Sequence, residues 1–99
     1  MSDKSTYIYL VRPMREGFNE TSTPEEQAIV GAHFARLKAM HAAGELVLAG
    51  PCTDVAFGVV VFRAASLDEA RTIMEDDPAV KNGVFSGELH EFRVSLLST

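Results

Sequence analysis

Residues Thr6–Arg12 read TYIYLVR, and Phe57–Phe62 read FGVVVF. Both runs are rich in β-branched and aromatic residues, the composition of a strand. In the first run Tyr7, Tyr9 and Val11 point one way and Ile8, Leu10 and Arg12 the other. Each run is largely apolar on both faces, so both belong in the interior of a sheet rather than at its edge. Pro13 closes the first.

Working outward, Met14–Ser22 has no hydrophobic period and carries Gly, Asn and Ser, which predicts a loop. Thr23-Pro24-Glu25-Glu26 is a helix start, with a capping Thr, Pro at the first helical position and Glu26 completing a capping box. Ile29, Val30, Phe34, Leu37 and Met40 recur at helical spacing, and Gly44 is a good terminator, so a helix is predicted over Pro24–Ala43. His33 lies on its apolar stripe between Val30 and Leu37, with His41 one turn from the end. Ala28, Ala32, Ala35, Ala39 and Ala42 cluster on the opposite face. Glu45–Ala49 reads as a short strand stopped by Gly50-Pro51. Ser66-Leu67-Asp68-Glu69 is a second capping box. Leu67, Ala70, Ile73 and Met74 follow as the stripe of a second helix ending near Asp76. Asp77-Pro78 starts one further turn, closed by Gly83. Glu88–Leu97 alternates, which predicts a last strand burying His90, Phe92, Val94 and Leu96.

The order β-α-β-β-α-β is satisfied by an α+β, ferredoxin-like sandwich: a four-stranded antiparallel sheet with both helices on one face. Its other face then has no helix to cover it. Burying one large apolar side chain is worth about 1.5–3 kcal/mol, and a whole domain is stable by only about 5–15 kcal/mol. Leaving several such residues wet is therefore expensive, and the expected solution is a homodimer joined through the open sheet faces.

The chain has 99 residues, the size of one domain spanning 1–99, with nine basic and fourteen acidic side chains and a net charge of −5. That balance argues against nucleic acid and against anionic membrane surfaces as partners. No run of apolar residues is long enough to span a membrane. The opening Met1–Thr6 is polar, and a lone Cys52 makes no internal disulfide, so a cytoplasmic location is expected.

Chemistry has few places to sit. His33 and His41 are about 12 Å apart along one helix, too far to share an ion, and no CxxC or HExxH pattern exists. No phosphate-cradling glycine loop and no GxSxG nucleophile appears. Neither a metal nor a cofactor is expected. Cys52, in a loop with no histidine beside it, reads as passive. On their own, His33 reads as a core histidine and Asp77 as an N-cap.

His33-Phe34-Ala35-Arg36-Leu37, Gly44-Glu45-Leu46 and Ala49-Gly50-Pro51 resemble the YCII-related (YciI-like) proteins. So do Asp77-Pro78-Ala79-Val80, Glu88-Leu89-His90 and Phe92-Arg93. The resemblance implies a ferredoxin-like fold in a dimeric α+β barrel. It also implies a cleft where His33 meets Asp77, matching the family's first-helix histidine and its aspartate before proline. Dehydrochlorination of a chlorinated hydroxyhydroquinone is one activity associated with the family. The loop bearing Arg15 and Phe18 is longer than in its shortest members. On this basis His33 and Asp77 are expected to act as a general acid–base dyad, because imidazole exchanges protons near neutral pH and a carboxylate on one ring nitrogen fixes its tautomer. Arg12, His90 and Arg93 are expected to hold an anionic or phenolic oxygen of a small-molecule substrate. The implied function is cofactor-free lyase or hydrolase chemistry. The rivals are a non-catalytic metabolite-binding module and, more remotely, a cofactor-independent monooxygenase.

Overall fold

In a computed structural model, residues 4–98 are described; Met1–Asp3, part of the polar opening stretch, and Thr99 lie outside the described residues. In chain order the elements are β1 (Ser5–Pro13), α1 (Phe18–Thr21), α2 (Pro24–Ala42), β2 (Leu46–Pro51), β3 (Gly58–Ala64), α3 (Leu67–Glu75), α4 (Pro78–Lys81) and β4 (Phe85–Glu91). The strands form one antiparallel sheet in the order β2-β3-β1-β4. The two doubly apolar runs are thus its central pair, as their composition requires.

Register sorts the sheet's two faces. Tyr9 opposes Val60 on one side and Leu89 on the other; Ile8 opposes Val61 and His90. The first set faces the helices. There Tyr7, Tyr9, Val11, Val60, Phe62 and Ala64 pack with Leu37 and Met40 of α2 and Ala70 and Met74 of α3. The Tyr9 and Phe62 rings meet edge to face at 5.6 Å. The other face carries Ile8, Leu10, Val59, Val61 and Leu48, the last 47% exposed.

Several boundaries differ from the sequence expectation, each for a physical reason. Within the predicted loop, Gly17 takes a left-handed φ of 68° and starts the one-turn α1, which buries Phe18. β2 does not stop at Ala49: Gly50 and Pro51 pair with Val59 and Gly58, because β2 is an edge strand, where proline is tolerated. β4 starts earlier, at Phe85, and ends at Glu91 rather than Leu97. Glu91 already opposes Tyr7, and the Phe92 N–H donates to the Thr6 carbonyl, so β1 offers almost nothing further to pair with. The buried parity of β4 is also reversed. Leu89 packs on the core, whereas His90, Phe92, Val94 and Leu96 are exposed. Phe34, expected in the core, is 57% exposed. The first capping box forms in full. In the second, Ser66 caps the Glu69 N–H, but the Glu69 carboxylate accepts from Ala65 N–H instead.

Candidate active site

Asp77 links α3 to α4. It is the N-cap of α4: Oδ1 accepts the Ala79 N–H at 2.9 Å, and Pro78 follows in the first helical position. Unlike most capping residues it is fully buried. His33, in the middle of α2, approaches from the facing helix. Its Nδ1 lies 2.8 Å from Oδ1 and 2.7 Å from Oδ2. The Tyr9 hydroxyl, rising from β1, donates to Oδ2 at 2.6 Å. Thus a carboxylate with no access to water is met by three donors from three elements, which is what a buried charge requires. The imidazole stands edge-on to the Phe85 ring at 5.7 Å, and Phe18 braces Phe85 in turn at 5.8 Å.

The electrostatics follow from this geometry. Burial pushes the Asp77 carboxyl upward, but the hydrogen bonds from His33 and Tyr9 outweigh it, and the group sits below the usual carboxylate range. Burial, reinforced by the adjacent Asp77 charge, pushes the Tyr9 hydroxyl far above the usual phenol range. Asp77 is therefore an anion and Tyr9 a neutral donor. An ionised Asp77 directs the Nδ1 proton of His33 toward itself. Nε2 then carries the free lone pair of the neutral ring, and it has no hydrogen-bond partner among the described residues.

The ring lines a cavity of about 430 Å³ between α2 and the sheet. Val30, Phe34 and Leu37 of α2 form one wall; Val11, Val60 and Phe85 contribute to the other. This explains Phe34: it is exposed because it borders a cavity rather than a filled core. A second cavity, about 460 Å³, shares Pro13, Phe18, Asn19 and Val55 with the first and is lined also by Arg12 and Arg15. Arg15 is committed to structure. It grips Glu26 with two bonds, at 2.7 and 2.9 Å, and lies over the Phe18 ring at 5.1 Å. Its hydrogen bond, with one from the Thr23 backbone, holds the Glu26 carboxyl down at about 2. Val55, at the β2–β3 turn, takes a φ of 57°, a left-handed backbone foreign to β-branched residues. Cys52, at the start of the same turn, is half-buried and free.

Of the sequence-nominated residues, the fold brings His33 and Asp77 into direct contact. Arg12 and His90 lie on the opposite face of the sheet, where both bind Glu88, at 2.9 and 2.6 Å. Arg93 is exposed in the irregular stretch beyond β4. None of the three is hydrogen-bonded to the imidazole, although Arg12 lines the adjoining cavity and lies 5.4 Å from the ring of Phe57, which lines the cavity of His33. Sequence reasoning missed Tyr9, which had been read only as a strand residue. Among the described residues, no three His, Cys, Asp or Glu side chains cluster as a metal site, and no helix is long and apolar enough to cross a membrane.

Fold and site together define an α+β protein of ferredoxin-like architecture with a buried histidine–aspartate pair at the wall of an apolar cavity. The model of the YCII-related domain matches residues 8–93, and the chain belongs to that family. It is 34% identical over 89 residues to the uncharacterized protein YjpA of Bacillus subtilis (strain 168), covering 89% of this chain and 96% of that one. Among solved structures it resembles 5-chloro-2-hydroxyhydroquinone dehydrochlorinase (TftG) from Burkholderia phenoliruptrix AC1100, in complex with 2,5-dihydroxybenzoquinone. The TM-score is 0.65, at 22% identity, over 88% of this chain and 93% of TftG. This likeness is one of fold.

Proposed function

We propose that the protein is a cofactor-free small-molecule enzyme of lyase or hydrolase type, with His33 as its general acid–base. The observation that carries this reading is the division of labour on one ring: Nδ1 is held by a buried carboxylate while the ring borders an apolar cavity. Neutral His33 takes a proton from a substrate carbon or oxygen at Nε2. Asp77 stabilises the resulting imidazolium, and the same nitrogen returns the proton to the departing group or to the product. A cavity of about 430 Å³ falls within the usual range for small ligands. The relative TftG, a dehydrochlorinase seen with a dihydroxybenzoquinone, suggests hydroxylated six-membered rings as the first substrates to try.

The test is a thermal-shift screen of hydroxylated and chlorinated quinols and quinones, with product analysis of every hit. Turnover by the wild type that drops by about 10²–10⁴-fold in His33→Ala is the expected result. Full turnover by His33→Ala would overturn the assignment. Hits that bind without product would instead make this a metabolite-binding module.

We further propose a homodimer through the sheet face bearing Ile8, Leu10 and Leu48, since a half-exposed Leu48 beside apolar neighbours is the kind of surface a second copy covers. Arg12, Glu88 and His90 border that face and stay in water at its rim in this reading. Sedimentation of the wild type at twice the 10.8 kDa chain mass, and of Leu48→Lys as a monomer, is expected. A monomeric wild type at micromolar concentration removes the dimer.

A further inference from the structure

The sequence reading treated Tyr9 as packing, and the acid–base proposal does not use it. Yet it is fully buried, and its hydroxyl makes the shortest contact to Asp77, 2.6 Å to Oδ2. Arg36 lies one turn beyond His33 on α2, near enough for its charge to act on Tyr9. Its Nη1 is buried, with no hydrogen-bond acceptor among the described residues. A phenol, a carboxylate and an imidazole thus follow one another across the core.

We propose that Tyr9 is a positioning residue: its hydroxyl keeps Asp77 ionised, so that a proton accepted at Nε2 of His33 stays on the imidazole instead of displacing the Nδ1 proton onto Asp77. The alternative has the same number of protons. The N–H bond at Nδ1 breaks, an O–H bond forms on Oδ2, and the imidazolium–carboxylate pair becomes a neutral imidazole beside a carboxylic acid. Which form prevails depends on how well the anion is solvated, and in a dry site the solvation is supplied by fixed donors. Oδ1 keeps the Ala79 N–H in either case. Among the described residues, Oδ2 has only the hydroxyl besides the imidazole. Tyr9 is therefore the donor whose removal shifts the balance toward the neutral pair. A neutral ring holding its hydrogen on Nε2 is a poorer acid, so the step that returns the proton slows.

The catalytic part of this inference rests on the acid–base reading above, but its main test needs no substrate. ¹⁵N shifts of the His33 ring and the ¹³Cγ shift of Asp77 are measured on the acid side of the pair's titration. In the wild type both ring nitrogens are expected at imidazolium positions and Cγ at its ionised position. Tyr9→Phe keeps the ring against Phe62 and deletes the hydroxyl. It should move Nδ1 toward the unprotonated value and Cγ toward the carboxylic acid while Nε2 stays protonated. With a substrate in hand, kcat should fall by about 10- to 100-fold with KM little changed, the worth of one hydrogen bond to a charge. A folded Tyr9→Phe with wild-type shifts overturns the proposal. Should Tyr9→Phe not fold, the wild type carries the test: Cγ at the carboxylic-acid position with Nδ1 unprotonated overturns the proposal. Altered shifts in a protein that turns over nothing would uphold the role of Tyr9 and remove the enzymatic reading instead.

Discussion

Among the described residues a histidine is held against a carboxylate twice, once on each face of the sheet. On the helix side His33 Nδ1 lies 2.7 Å from Asp77; on the other side His90 Nε2 lies 2.6 Å from Glu88. By distance the pairs are interchangeable. Their side-chain exposures are 11% and 0% in the first, 58% and 49% in the second. Asp77 draws on three fixed donors in a dry site, whereas Glu88 is shared by His90 and Arg12, in that order of influence, and both hold it below the usual carboxylate range. Water competes for every bond of the second pair and for none on Asp77. The proposed chemistry therefore rests on the surroundings of the first pair, not on its contact distance.

The largest difference is expected on deleting each carboxylate. Asp77→Ala strands the Tyr9 hydroxyl, the Ala79 N–H and the His33 Nδ1, and breaking a buried pair in this way costs about 3–5 kcal/mol. Urea denaturation should show that loss, while Glu88→Ala leaves the midpoint where it was. Equal shifts in the two variants would erase the contrast.

A smaller effect is expected from pH. The Tyr9 phenol is raised in the folded state, so it favours the fold fully below its unfolded value near 10 and loses that contribution as pH rises beyond it. One such group gives a slope of about 1.4 kcal/mol per pH unit, which Tyr9→Phe should remove from alkaline denaturation curves. Asp77 has the opposite sign. Its carboxyl is lowered, so its contribution is complete above the ordinary value of 3.8 and is lost as pH falls through the lower folded value. Asp77→Asn should flatten that acid limb. Smallest of all is His90→Ala, which should alter neither chain stability nor ligand binding at the His33 cavity. A large effect there would place His90 in the site after all.

The sheet's middle was legible because TYIYLVR and FGVVVF are largely apolar on both faces, as central strands are. The His33–Asp77 pair was legible only through family resemblance, since nothing local says that α2 and the start of α4 meet. Tyr9 had a signal that went unread: a tyrosine on the covered side of a central strand must find a partner for its hydroxyl. Which partner is a tertiary fact. β4 was misplaced because period-two alternation fits either parity, and the apolar Phe92, Val94 and Leu96 favoured the wrong one. Only the pairing of Glu91 with Tyr7, close to where β1 begins, fixes its end. Gly50-Pro51 look like breakers in sequence, and it is the edge position of β2 that makes them tolerable.

The left-handed Val55 leads in another direction. Holding a valine there forfeits roughly 1–3 kcal/mol, and with 54% of its surface in water it recovers little through packing. Asparagine or glycine adopts that backbone readily, so a more heat-resistant form of this protein should begin with that one exchange. Because the same residue borders both hollows, whatever affinity disappears in the hardier variant measures what its two methyl groups were kept for.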